Sequence, residues 1–318
     1  VTMSGIGGVC TDPAARMKGY GRTLLEDTVA YTRKKGYDFS ILYGIPNYYN
    51  KYGYEVVMAS YQINMAQDDL PHREGALPVS AIRKSDLPAL CRFYNRNNRF
   101  YDGNCLRLSM SKPSNGFKLT DARGRITAYA IWSERDGSMV VHEAVAGSTA
   151  SARALAAQLR RVAWNLAFSH VSIRMPFGYP ATDALRSSTA TFQRRITSFK
   201  GCMGQVTNLS SLCRKMQPEW KNLLGKSEFA AQSGALALKI GSDTLDIRFS
   251  RGGLSAKITA GKAVSSLSPQ RFAQMVFGYR GVRDLAGEPG VQIARGDQRL
   301  LEVLFPERNS FLFELDKF

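Results

Sequence analysis

Arg16, Lys18, Gly19 and Gly21 lie close together in the run Val9-Cys10-Thr11-Asp12-Pro13-Ala14-Ala15-Arg16-Met17-Lys18-Gly19-Tyr20-Gly21-Arg22. Two cations interleaved with two glycines suit a phosphate. The guanidinium and ammonium groups offer charge-assisted hydrogen bonds, and backbone without Cβ lets an anion come close to main-chain N–H groups. Further on, Tyr48-Tyr49-Asn50-Lys51-Tyr52-Gly53-Tyr54 gathers four phenols in one short turn. That order would hold a pyrophosphate beside a reacting amine.

The surrounding elements must put these residues in place. Leu24, Leu25 and Val29, with Thr28 and Thr32, mark one face of a helix at roughly 3.6-residue spacing, so the glycine loop falls at a helix N-terminus. There the first N–H groups have no intrahelical partner and the macrodipole favours an anion. Upstream, Gly5 to Thr11 reads as a strand closed by the Asp12-Pro13 turn signal; downstream, Asp38 to Tyr43 reads as the next strand. A dinucleotide fold would need G-x-G-x-x-G directly after its strand, and a P-loop its lysine–threonine pair; neither is present.

At 318 residues the chain is long enough for two or three domains. No run approaches the ~18 apolar residues of a membrane span, so no membrane partner is expected. The five cysteines, Cys10, Cys91, Cys105, Cys202 and Cys213, are odd in number, widely spaced and without C-x-x-C. They argue for reduced thiols in a cytoplasmic setting, against a disulfide frame or a zinc site, and no metal is expected. The net charge of +17 invites a nucleic-acid reading. The basic residues are scattered, however, with short clusters only at Arg33-Lys34-Lys35, Arg160-Arg161 and Arg194-Arg195 and no RNA-binding aromatic signature, so nucleic acid is not the expected partner.

Three segments follow one another. The first, 1–67, holds the glycine loop and the tyrosine turn. The apolar pattern lapses from Gln67 to Gly75, a linker. The second, 77–202, opens with a strand at Val79–Ile82 and a helix capped by Ser85-Asp86 through Leu87, Leu90, Phe93 and Tyr94. Strands at Ile126–Trp132 and Met139–Val145 flank an Asp136-Gly137 turn. A helix opened by Ser151 then carries Leu155, Leu159, Val162 and Leu166, followed by a strand at Val171–Met175. This repeats the strand–helix–strand rhythm of the first segment without its glycine loop. In the third, 203–318, the alternating sets Leu236/Leu238/Ile240, Leu245/Ile247/Phe249 and Leu254/Ala256/Ile258 predict antiparallel strands, and Ser268-Pro269 opens a helix that Gly278 ends. The fold class expected is α/β (α+β), mixed sheets with flanking helices.

Arg16, Gly19 and Gly21 form the R-x-x-G-x-G of an acetyl-coenzyme A loop, and Tyr48 to Tyr54 the tyrosine turn that follows it, so the sequence resembles the GNAT acetyltransferase superfamily. The stretches around Ser268–Arg280 and Leu304–Phe318 resemble the sterol-carrier-protein-like domain of the Eis (enhanced intracellular survival) acetyltransferases. The resemblance implies a GNAT region over 1–67, a degenerate second GNAT-like domain over 77–202 and a sterol-carrier-like α+β domain over 203–318. Members carry further strands and helices before the loop, so the first region is read as N-terminally incomplete or as a short variant.

By the same resemblance, Val9, Cys10 and Thr11 serve the pantetheine arm of acetyl-coenzyme A, and Arg16, Met17, Lys18, Gly19, Tyr20, Gly21 and Arg22 hold its pyrophosphate. Tyr49 is the proton donor to the departing thiolate, with Tyr48 as the alternative one register away; a phenol near pKa ~10 is protonated at neutral pH. The carboxylate of Phe318 assists, as a base or by selecting a cationic amine. The acceptor implied is a primary amine of a small polyamine, an aminoglycoside-like molecule or a lysine side chain, and a homo-oligomer is expected. His72, His142 and His170 read as satisfied or exposed side chains, with Glu143 beside His142 worth a mutational check. The competing reading is a non-enzymatic module that binds lipid or nucleic acid.

Overall fold

The computed structural model describes residues 1–45, 47–72, 77–197 and 201–317. They group into two units, Val1–Met58 with Thr197–Asn309, and Ala59–Ile196 with Ser310–Lys317.

The first unit begins with β1 (Met3–Ile6), α1 (Tyr20–Lys34), β2 (Phe39–Gly44) and β3 (Glu55–Val56). β1 and β2 run parallel, Met3 opposite Phe39 and Ile6 opposite Leu42, with α1 as the crossover. Helix α1 turns Leu25, Val29 and Thr32 inward, the i, i+4, i+7 spacing of one helical face. Leu24, expected on that face, is 52% exposed, because its neighbour Leu25 takes the inward position and the next residue lies about 100° around the helix. The strand expected over Gly5–Thr11 is also corrected. Its ladder runs only through Met3–Ile6, the backbone turns at Gly8 (φ 65°), and Val9, Cys10 and Thr11 lie in the connection to α1.

The second unit contains β4 (Ser60–Ala66), β5 (Val79–Ala81), α2 (Leu87–Asn98), β6 (Asn115–Thr120), β7 (Ile126–Arg135), β8 (Ser138–Ala146), α3 (Thr149–Asn165), β9 (His170–Ile173), α4 (Pro180–Asp183) and β10 (Thr191–Arg195). Its sheet has the order β10-β4-β9-β8-β7-β6-β5. The β7–β8 hairpin turns through Asp136 and Gly137, both at positive φ, as a two-residue D-G turn requires. Strands β8 and β9 are parallel and joined by α3, the repeated strand–helix–strand motif. Two cap assignments shift: Ser148, not Ser151, is the N-cap of α3, the two forming a reciprocal capping box, and Asp86 precedes α2 without a side-chain cap. Leu166, expected on the buried face of α3, sits at its C-cap and is 50% exposed. The linker read over Gln67–Gly75 runs into residues 73–76, outside the described residues.

The chain then returns to the first unit with β11 (Gly201–Val206), α5 (Leu209–Gly225), β12 (Gly234–Ile240), β13 (Asp243–Ser250), β14 (Gly253–Thr259), β15 (Ser265–Leu267), α6 (Pro269–Val276), α7 (Val282–Leu285), β16 (Val291–Gln292) and α8 (Arg295–Leu304). β11 inserts between β2 and β3, antiparallel to both, giving the order β1-β2-β11-β3. A five-stranded sheet, β14-β13-β12-β15-β16, carries the expected alternation. Leu236, Leu238, Ile240, Leu245 and Ile247 point into a core shared with Trp220, Phe272, Leu301 and Phe39. Ser268 caps α6 through Arg271 N, with Pro269 at its first position.

Strands are therefore exchanged along the sequence. β4 leaves the first segment to pair with β9 and β10, while β11 completes the sheet of β2 and β3. Among the described residues, no helix is long and apolar enough to cross a membrane.

Candidate active site

The glycine loop enters α1 by a left-handed residue. Gly19, at φ 85°, is the N-cap and makes no side-chain cap, and the first turn of the helix contains no acidic residue. Asp12 instead closes the preceding turn, accepting from Ala14 N at 2.8 Å, and Arg16 Nε donates to Thr11 O at 3.4 Å. Arg16, Lys18 and Arg22 are exposed, and so is Met17, at positive φ. The helix end thus presents N–H groups and cations, with no carboxylate in the first turn of α1 to compete for them.

The tyrosine turn closes over this end. Tyr49–Tyr52 forms a 3-10 turn, entered from Tyr48. A Cβ on Gly21 would stand 2.8 Å from Tyr48 Oη and 3.7 Å from Thr11 Oγ1, so the glycine makes room for the phenol against the first turn of α1. Burial and a hydrogen bond with Tyr52 raise the Tyr48 pKa. Tyr49 points the other way. It is 7% exposed, its ring packs over Gly44 beside Met203, and it meets the Tyr48 ring edge-on at 5.1 Å. Burial raises the Tyr49 phenol above its ordinary pKa. Tyr54, fully buried, shares a 2.7 Å hydrogen bond with Ser40 of β2 and locks the far side of the turn.

The structure thus brings Thr11, Gly21 and Tyr48 into contact, with Tyr49 behind them. The residues under Tyr49 escape sequence reasoning. Gly44 is the last residue of β2, and Met203 arrives on β11 from a distant part of the chain. Phe318 lies outside the described residues. The tail leading to it, Ser310–Lys317, belongs to the second unit, where Phe313 is fully buried against Tyr94 and Tyr179. Glu314 accepts from Arg174 and pairs with His142 Nδ1, both at 2.8 Å, while Asp316 is bound by Arg107. His142 is therefore a satisfied histidine, with Ser133 on its other nitrogen at 2.7 Å, and Glu143 is the bidentate partner of Arg107. His170 hydrogen bonds to its neighbour Ser169 at 2.9 Å.

A phosphate-bearing cosubstrate fits the loop. The left-handed Gly19, the unsubstituted Gly21 and the exposed cations form a cradle at a helix end. Residues 1–57 match the family model described as acetyltransferase (GNAT) domain. The fold is that of the GNAT acetyltransferases.

Solved structures agree over nearly the whole chain. A probable N-acyltransferase from Enterococcus faecalis is 18% identical with a TM-score of 0.76, covering 99% of this chain and 81% of that one. A GCN5-related N-acetyltransferase from Anabaena variabilis is 16% identical with a TM-score of 0.73, covering 99% and 82%. Eis1 from Mycobacterium abscessus is 12% identical with a TM-score of 0.66, covering 99% and 83%. No curated protein matches the chain. Residues 1–57 thus carry the match to an acetyltransferase domain, and the N-acyltransferase and N-acetyltransferase neighbours share the fold of the chain.

Proposed function

We propose that the protein transfers acetyl from acetyl-coenzyme A to a primary amine by direct attack, the amine belonging to a small polyamine, an aminoglycoside-like molecule or a lysine side chain. The observation that carries this reading is the cradle itself: glycine loop, acid-free helix end and tyrosine turn meet within contact distance at Gly21 and Tyr48. Arg16, Lys18, the Arg22 side chain and the loop N–H groups from Met17 to Gly21 hold the pyrophosphate, the Arg22 N–H itself being given to Gly19 O at 2.9 Å, and Val9, Cys10 and Thr11 border the pantetheine arm. Tyr49 gives its proton to the departing thiolate, and the Phe318 carboxylate helps to orient or deprotonate the amine. A raised phenol pKa suits the acid role, because the group stays protonated across the pH range in which amines are free to attack.

A second assignment has its own support. Tyr48 Oη, rather than Tyr49 Oη, stands at the first turn of α1, which favours Tyr48 as donor. The sterol-carrier-like reading of 203–318 rests on the sequence resemblance alone, and the likeness to Eis1 is one of fold. Thermal stabilisation by acetyl-coenzyme A tests the binding. A ligand at 100 times its dissociation constant adds ~2.7 kcal/mol, whereas a shift with a fatty acyl ligand or RNA and none with the coenzyme would replace this reading by a binding module. Turnover of Tyr49→Phe, Tyr48→Phe and a chain lacking Phe318, against a panel of amines, tests the chemistry. Unchanged rates in all three remove it.

A further inference from the structure

The second unit contains a cavity of about 640 Å³, within the roughly 300–1,000 Å³ of small-molecule sites. One wall is the face of α2 that carries Ala89, Arg92, Phe93 and Arg96, at i, i+3, i+4 and i+7. The turn between β6 and β7, with Asp121 and Arg125, makes the second wall, and Gly147 and Ser148 after β8 make the third.

The charges around this cavity are unequal. Asp121, its one lining acid, is spent within its own turn, accepting from Arg125 Nε at 2.7 Å and from the N–H groups of Arg123 and Arg125 at 2.9 Å. Arg92 and Arg96, one turn apart and both exposed, have no acidic partner among the described residues. Arg96 stacks over Phe93 at 5.5 Å, which holds its guanidinium plane at the cavity wall. The opening turn of α3 is closed by Ser148 and Ser151 on each other, so the positive character comes from the arginines and not from a bare helix end. Like charges four residues apart on a helix repel, and a bound dianion would reverse the sign of that interaction. A guanidinium fork pairs with two oxygens at once; a carboxylate's two oxygens are taken up by one fork, whereas a terminal phosphate's three oxygens can meet two guanidinium groups.

We infer that this cavity is a second anion site, separate from the glycine loop, which takes a phosphate-bearing small molecule between Arg92 and Arg96. Bisphosphate or nucleotide size fits its volume. Ala89 and Ile126, both partly exposed, with the edge of Phe93, supply the apolar wall on which the remainder of such a ligand lies.

Calorimetry on the full chain with inorganic pyrophosphate and with adenosine 3′,5′-bisphosphate tests this. The wild-type chain shows two classes of site. Arg92→Ala with Arg96→Ala removes one class, weakening it at least tenfold, and leaves the affinity for acetyl-coenzyme A unchanged. Arg16→Ala with Lys18→Ala removes the other class and leaves this one, so the failure of either site is seen independently of the other. Both arginines are exposed, and an unaltered melting temperature of the apo variant certifies its fold. An isotherm unchanged by the Arg92/Arg96 substitutions overturns the inference. So does a mixed-sequence oligonucleotide that binds through these arginines more tightly than either phosphate probe, since that makes the face a nucleic-acid contact.

Discussion

Tyr48 rests its hydroxyl against Gly21, 2.8 Å from where a Cβ would stand. Two motifs separated by a helix and a strand are thereby one piece of surface. Gly21→Ala must push the phenol off the first turn of α1 or move the turn itself. A loss of about 1.4 kcal/mol, or roughly tenfold in acetyl-coenzyme A affinity, is expected by calorimetry. Adding Tyr48→Phe, which removes the clashing oxygen, recovers part of it. Full affinity in Gly21→Ala would disconnect the tyrosine turn from the coenzyme.

Tyr49→Phe lowers kcat by about a hundredfold, the scale of a lost general acid, with coenzyme affinity retained. Because burial raises this phenol, it loses its proton only as pH rises beyond its ordinary range. The wild-type kcat profile therefore shows no fall on the basic side attributable to it below about pH 10. If Tyr48→Phe shows the large drop and Tyr49→Phe none, the donor is Tyr48.

Asp38, fully buried at the head of β2, is drawn two ways: burial raises its pKa, and hydrogen bonds from Lys215, Thr2 and Ser211 outweigh it, leaving the pKa lowered. A lowered carboxylate stabilises the fold above its unfolded pKa, and that contribution is lost as pH falls through the folded value. Lys215 Nζ lies 2.7 Å from Asp38 Oδ2. Lys215→Met raises the folded pKa, so acid unfolding followed by circular dichroism begins at a higher pH. An unshifted acid limb would mean that Thr2 and Ser211 suffice.

Arg107 binds Glu143 bidentately at 2.8 and 2.6 Å and Asp316 at 2.6 Å, while lying 3.6 Å from the centre of the Tyr94 ring. Burial lowers the pKa of the guanidinium, but the two carboxylates outweigh it and hold it charged. Arg107→Met strands two buried carboxylates and costs about 3–5 kcal/mol in denaturant unfolding, with residues 310–317 newly open to protease. Adding Glu143→Gln and Asp316→Asn restores much of the loss. Wild-type stability in Arg107→Met would show that the aromatic contacts of Phe311 and Phe313 hold the tail without the ion pairs.

The first βαβ stretch was legible because its signals are local. Helical spacing of Leu25, Val29 and Thr32, glycines where the chain must turn left-handed or pass close, and an apolar run at Phe39–Leu42 each depend on neighbours within a few residues. The hairpin at Asp136-Gly137 and the Ser268-Pro269 cap were legible for the same reason. Where local signals ran thin, boundaries slipped. The opening strand stops at Ile6 because its ladder with β2 ends there, and Leu24 faces solvent because its neighbour took the buried position.

By itself the sequence determined the mixed α/β class, the phosphate-type loop at a helix end and the alternation of the last five-stranded sheet, since periodicity and turn chemistry are written residue by residue. Tertiary structure alone decided that β11 slots between β2 and β3, that Met203 lies beneath Tyr49, that Tyr48 leans on Gly21, and that Glu314 and Asp316 are clasped by Arg174 and Arg107. Strand partners and ion pairs between residues far apart in the chain leave no local pattern. They are selected by how well whole surfaces bury and pair their backbone groups, which only the folded chain can settle.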